Sequence, residues 1–192
     1  MHMTMRKVVT VLDRAIIGAL LILVVLLLGV QIARAGELIP ALGWTKAING
    51  DQTKMFGSLA FRGDLLPFLK SDVGAGYRSE SRFDDQLKVR MWPVTASLWI
   101  TPLPTLYAGG GVGWYHTTFD YDQSKIAFPI ADQTKEEFGV HLGGGMQVPL
   151  APFAAIDVNG RYVMMRDQQS RLVPEKFNPD FWSSSLGLAF KF

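Results

Sequence analysis

Cysteine is absent from this chain of 192 residues. Disulfides, thiolate metal sites and thiol nucleophiles are therefore excluded, and an exported chain loses nothing by lacking them. Histidine is scarce too, with His2, His116 and His141 too scattered to set out a metal site. Charge of one sign is also missing. The formal net charge of +2 falls to −1 once residues 1–35, with four basic side chains against Asp13, are set aside. That removes the main support for a nucleic-acid partner. Beyond Glu37 no run of apolar residues is long enough for a membrane-crossing helix.

The first 35 residues are a different matter. Arg6, Lys7 and Arg14 precede an uncharged, almost wholly aliphatic stretch, and Ala33-Arg34-Ala35 follows it. A basic start, an apolar middle and a small-x-small site describe a secretory signal helix cleaved after Ala35. The alternative is an uncleaved anchor, since the run approaches the ~20 residues that span a bilayer. Both readings export the remainder and divide the chain into residues 1–35 and a domain at 36–192.

That domain alternates with period two, the mark of strands with two unlike faces. In the last segment Trp182, Leu186, Leu188, Phe190 and Phe192 share one face, against Ser183, Ser185, Gly187, Ala189 and Lys191. Similar alternation recurs upstream. It predicts eight strands at 37–48, 54–63, 68–79, 87–100, 105–121, 137–148, 153–166 and 181–192. Three short Pro-bearing links at 64–67, 101–104 and 149–152 alternate with polar links at 49–53, 80–86, 122–136 and 168–180. Short turns at one rim and long loops at the other are the asymmetry of a membrane barrel, and an even strand count returns both ends to the short-turn side. The expected fold is all-β: a membrane-spanning antiparallel eight-stranded up-and-down barrel, apolar outside and polar inside, preceded by the signal helix.

Two strands fit less well. In 87–100, Lys88 and Arg90 share parity with Val94, Ala96, Leu98 and Ile100, which predicts a parity-switching bulge at Trp92-Pro93. In 105–121, Gly109, Gly110, Gly111 and Gly113 blur the alternation. Leu106, Val112 and Trp114 are assigned outward there.

The mature region resembles the small outer-membrane β-barrel families typified by OmpA, OmpX and OmpW. The resemblance rests on the alternating terminal strand ending in Phe192, on the run Tyr107-Ala108-Gly109-Gly110-Gly111-Val112-Gly113-Trp114, and on the order of turns and loops. It implies a bacterial outer-membrane location, and assembly by a barrel-insertion machinery that reads Leu186, Leu188, Phe190 and Phe192. Outer-membrane lipid and lipopolysaccharide are the expected surroundings of a monomer. The pattern specifies architecture and is nearly silent on activity.

Candidate chemistry falls in four places. By parity Lys54, Arg62, Lys70, Asp72, Arg78, Glu137, His141, Asp157, Asn159, Arg161 and Lys191 point inward. An interior of this width is filled by side chains or holds one small ligand, so a mutually satisfied charge network is expected, with a narrow conduit as the alternative. His116, Thr118 and Asp120 share a face, and lipid A deacylases of this architecture carry an outer His-x-Ser pair with an acid. Thr118 would have to be the nucleophile and the surrounding signature is missing, so an amphipathic rim histidine is the expectation. Trp44, Trp92, Trp99, Trp114, Tyr115, Tyr121, Trp182 and Phe192 read as interfacial girdles. The longest loops carry no legible motif, though loops are where recognition usually resides. The reading is a structural or surface-interaction protein, not an enzyme, with no cofactor and no metal. A conduit for small solutes or hydrophobic molecules is the first alternative and a lipid-modifying enzyme the second.

Overall fold

The computed structural model describes residues 36–48, 53–82, 87–124, 132–165 and 179–192. The signal helix expected at 1–35 lies outside the described residues, as does most of the two longest loops. The described residues form eight strands: β1 Gly36–Ala47, β2 Thr53–Leu66, β3 Leu69–Arg82, β4 Leu87–Leu103, β5 Leu106–Tyr121, β6 Gln133–Ala151, β7 Ala154–Met165 and β8 Phe181–Lys191. Each pairs antiparallel with its sequence neighbours, and β8 returns to β1 to close a barrel. Backbone bonds between Gly36 and Phe192, 3.1 and 3.0 Å, finish the seam at one rim, and Ile48 N to Asp180 O, 3.0 Å, at the other.

The three links on the side of the chain ends are two-residue turns, Pro67-Phe68, Pro104-Thr105 and Pro152-Phe153. Proline holds φ near −65°, whereas the tightest hairpin turns need positive φ at their first central residue. Each turn is flanked by a register shift that absorbs the mismatch, at Asp64/Leu66, Ile100/Leu103 and Pro149/Ala151. The carbonyls of Phe68, Thr105 and Phe153 then accept from Thr101, Gln147 and Lys191 on the next strands round. On the opposite rim β3 and β6 run further than the sequence pattern suggested, β6 beginning at Gln133 rather than 137.

Strands of 11 to 19 residues meet or exceed the ~9 to 11 needed to cross a bilayer at the usual tilt. Their outward faces carry an apolar belt that includes Leu42, Leu59, Leu98, Ile100, Val140, Leu142, Met146, Val158, Leu186 and Leu188, all exposed. No water-soluble surface of this size is so continuously apolar; it is a face for lipid. Tyr77 packs on Trp92 (4.5 Å) and Tyr162 on Trp182 (4.7 Å) on the loop side of the belt, and Phe61 meets Phe192 (5.6 Å) on the turn side. Rings at the two edges suit headgroup depth.

The bulge expected at Trp92-Pro93 is absent. Trp92, Pro93 and Val94 pair with His116, Tyr115 and Trp114 in unbroken register, so β4 keeps one parity throughout. What changes is the solvent. On β4, β5 and β6 the outward face is apolar up to Trp92, Trp114 and Phe138. One step further toward the loops it turns polar, with Arg90, His116 and Glu136, while the inward face of β4 and β5 turns apolar. Leu87, Val89, Phe119 and Tyr121 form a buried cluster there. Where the wall rises clear of lipid, apolar side chains are driven to the interior by water on the outside.

Candidate functional site: the barrel lumen

Inward-facing residues divide the lumen into levels. Nearest the turns, Glu37 accepts from Lys70 Nζ at 3.2 Å and from Gln147 Nε2 at 2.6 Å. Above it Arg62, 2 % exposed, bridges the barrel. Its Nε and Nη2 donate to Asp72 Oδ2 at 3.2 and 3.1 Å, and its Nη1 donates to Asp157 Oδ2 at 2.7 Å. The guanidinium also lies over the Tyr107 ring, 4.4 Å from its centroid. Tyr107 donates to Asp157 Oδ1 at 2.9 Å and accepts from Asn159 Nδ2 at 3.1 Å. Arg161 Nε donates to Asn159 Oδ1 at 2.8 Å. Two buried carboxylates thus face two guanidiniums, the balance a low-dielectric interior requires.

Beside this network Ser97 Oγ and His141 Nε2 are 2.9 Å apart. The fully buried Trp99 stacks edge-on against Tyr107 at 5.4 Å. Toward the loops Met91, Tyr115, Val163 and Phe181 cluster, with Arg78 over the Phe181 ring at 4.4 Å. Glycine makes room for the rings. A Cβ at Gly113 would lie 2.7 Å from Tyr115 Cε2, and one at Gly139 3.0 Å from the same atom. These inward glycines therefore seat Tyr115 as well as leaving space.

Of the residues expected in the lumen, Arg62, Asp72, Asp157, Asn159 and Arg161 meet in one network, and Lys70 joins Glu37 below it. His141 and Arg78 are buried on the inward face, and Lys54 and Glu137 are half-buried there. Lys191 is not part of the network. It is exposed at the turn-side rim, opposite Glu37 in register, because β8 ends there. The sequence pattern missed Glu37, Tyr107 and Gln147 as members of the polar interior, and Ser97 and Trp99 as the side chains packed beside it. Tyr107 shares parity with Gly109, Gly111 and Gly113, and those glycines concealed the face it belongs to. Three expected girdle residues are likewise corrected: Trp99, Tyr115 and Tyr121 are 0 %, 1 % and 5 % exposed and fill the interior. Leu186, Leu188, Phe190 and Phe192 are exposed on the outside of β8 and at its end.

Outside the barrel, at the edge of the belt, His116 Nδ1 lies 3.6 Å from Glu136 Oε1 and its ring packs on Trp114. Arg90 Nε pairs with Asp120 Oδ2 at 2.6 Å, so Asp120 serves the arginine rather than the histidine. Among the described residues no three His, Asp or Glu gather as metal ligands.

A closed up-and-down barrel with a lipid-facing belt and a polar interior is the architecture of a membrane-spanning β-barrel protein. No known family model and no curated protein matches the chain. Solved structures do. A major outer membrane protein from Thermus thermophilus is similar with a TM-score of 0.57 at 14% identity, over 82% of this chain and 99% of that one. Neisserial surface protein A aligns with a TM-score of 0.55 at 16% identity, over 82% and 96%. Ail, the attachment invasion locus protein of Yersinia pestis, aligns at 0.53 and 14%, over 82% and 97%. The chain has the fold of the small eight-stranded outer-membrane barrels.

Proposed function

We propose that this chain is an integral protein of a bacterial outer membrane whose barrel is sealed, and whose role is structural or surface-interactive rather than chemical. The observation that carries this is Arg62, which ties β2 to β3 and, across the lumen, to β7. This obstructs the interior at the level of Arg62, and the apolar cluster of Leu87, Val89, Phe119 and Tyr121 above it narrows the lumen on the β4–β5 wall. A polar solute entering from either side would be stopped at the level where Arg62, Asp72 and Asp157 are tied together across the lumen. Lipid and lipopolysaccharide around the belt, and the barrel-insertion machinery acting on the β8 terminus, are the partners this reading assigns. Two of the similar structures are named as an attachment invasion protein and a surface protein, which supports contact at the cell surface as the kind of role to seek.

The test is conductance. Protein refolded in detergent, recognised as a barrel by a gel mobility that changes on boiling, is expected to add no steady current to a planar bilayer. Steady single-channel events would sink the sealed-barrel reading and favour the conduit.

A second reading has one observation behind it. The His116–Glu136 pair sits at the lipid edge with Thr118 two residues along the same face, the ingredients of a base-activated hydroxyl acting on a lipid ester. Release of acyl chains from lipopolysaccharide by the wild type, lost in His116→Ala, would establish it.

A further inference from the structure

Between the Arg62 network and the apolar cluster the lumen holds a cavity of about 100 Å³. It exists because the wall of β8, β1, β2 and β3 carries small inward side chains, among them Ala41, Ser58, Gly74 and Ser185, opposite the bulky wall of β4 to β7. Polar atoms without a hydrogen-bond partner among the described residues belong to the side chains around it: the Tyr115 hydroxyl and His141 Nδ1, which a ligand could meet, and the acceptor Asp72 Oδ1, which faces Arg161 Nη2 at 3.6 Å instead. Tyr115 and His141 are each 1 % exposed. Unmatched groups buried this deeply are costly unless something in the cavity meets them.

The cations indicate what that is. Arg161 uses Nε on Asn159, but its Nη1 reaches only Thr95 Oγ1 at 3.5 Å, and its Nη2 stands 3.6 Å from Asp72 Oδ1, beyond good hydrogen-bond length. A guanidinium has five N–H donors, so Arg161 has donors to spare. Arg78 and Tyr115 line the same space. A planar, bidentate acceptor matches such donors best. Ile39, Phe56, Met91, Val163 and Phe181 give the same wall an apolar surface on which a tail could lie.

We propose that this cavity binds a small organic carboxylate with a short apolar or aromatic tail, its carboxylate held by Arg161 and the Tyr115 hydroxyl and its tail lying against Met91, Val163 and Phe181. The cavity reaches Thr45, Phe56 and Phe181, within a few residues of the loop ends of β1, β2 and β8, whereas the apolar cluster stands on β4 and β5. Entry is therefore from the β8–β1–β2 side of the loop rim. The proposal does not depend on the barrel being sealed, because occupancy and conductance are separate readouts.

The test uses the full chain folded in micelles, with benzoate as probe and benzyl alcohol and inorganic phosphate as comparisons, followed by calorimetry and by the arginine Nε and tyrosine resonances. Benzoate is expected to saturate one site, with Arg161 and Tyr115 shifting, and benzyl alcohol and phosphate to bind at least about tenfold more weakly. Tyr115→Phe removes a hydroxyl that has no hydrogen-bond partner among the described residues, so it keeps the fold and is expected to weaken benzoate about tenfold. Arg161→Gln weakens it too, but also disturbs Asn159, and so is the secondary variant. Three results would each overturn the proposal: no saturable benzoate binding, benzyl alcohol or phosphate binding as tightly, or Tyr115→Phe binding benzoate like the wild type.

Discussion

Arg62 of β2 and Asp157 of β7, 95 residues apart in sequence, meet across the lumen at 2.7 Å, with the guanidinium 2 % exposed. The contact joins strands that share no backbone ladder, so it is a strut as well as a plug. Its removal is expected to be costly in one direction only. Arg62→Ala leaves Asp72 and Asp157 buried without their cation, a loss of about 3 to 5 kcal/mol. Replacing Arg62, Asp72, Asp157 and Arg161 together with apolar residues of similar volume, so that no charge loses its counterion, is expected to be near neutral. Urea unfolding of the refolded barrel, followed by tryptophan fluorescence, measures both. Equal loss from the two variants would mean the network matters through packing rather than charge.

Thr117 gives a prediction of the opposite sign. It is 1 % exposed and its hydroxyl has no hydrogen-bond partner among the described residues. Thr117→Val keeps the shape and β-branching while removing an unsatisfied polar atom, and is expected to raise stability by about 1 kcal/mol. A lower unfolding midpoint would show that the hydroxyl is satisfied, for instance by an internal water.

Glycines separate into two kinds. A Cβ at Gly139 would stand 2.8 Å from Met164 O and 3.0 Å from the Tyr115 ring, whereas one at the outward Gly57 would meet nothing nearer than Leu42 at 3.8 Å. Gly139→Ala is expected to cost about 1 to 3 kcal/mol through overpacking. Gly57→Ala is expected to be neutral, or to gain about 0.4 to 1 kcal/mol by restricting the unfolded chain. Paired unfolding curves check the contrast, and its reversal would refute the distinction between seating glycines and spare ones.

How much of this was legible beforehand follows from where period two meets a single environment. On β7 and β8 the outside is lipid and the inside polar along nearly the whole strand, so Asp157, Asn159 and Leu186 declared their faces at once. On β4 the environment reverses part-way. Lys88 and Arg90 lie outside because they stand in water; Leu98 lies outside because it stands in lipid. A rule that equates one parity with one polarity has to invent a bulge to reconcile them. Trp99 and Tyr115 were misplaced for a related reason. An aromatic near a strand end suits a girdle, but the barrel needs large rings inside wherever Gly109, Gly111, Gly113 and Gly139 leave the wall bare. The meeting of Arg62 with Asp157 was beyond sequence reading, since it depends on which inward residues the stagger of the barrel brings level.

That reversal also sets the height of the membrane, and charge can locate it. Leu142 on β6 is 61% exposed within the belt, while Thr134, four inward–outward alternations away on the same outward face, is exposed beyond Phe138 and Glu136 on the loop side. An arginine on the lipid face costs about 2 to 4 kcal/mol at the bilayer midplane and about 0 to 1 near its edge. Leu142→Arg is therefore expected to destabilise the barrel refolded into vesicles by about 2 kcal/mol or more, and Thr134→Arg to leave it unchanged within about 1 kcal/mol. In detergent micelles the difference should shrink, because a micelle deforms around a charge more readily than a bilayer does. Equal effects of the two substitutions in vesicles would place the belt edge elsewhere. The change of polarity at Trp92, Trp114 and Phe138 would then need a cause other than the end of the lipid.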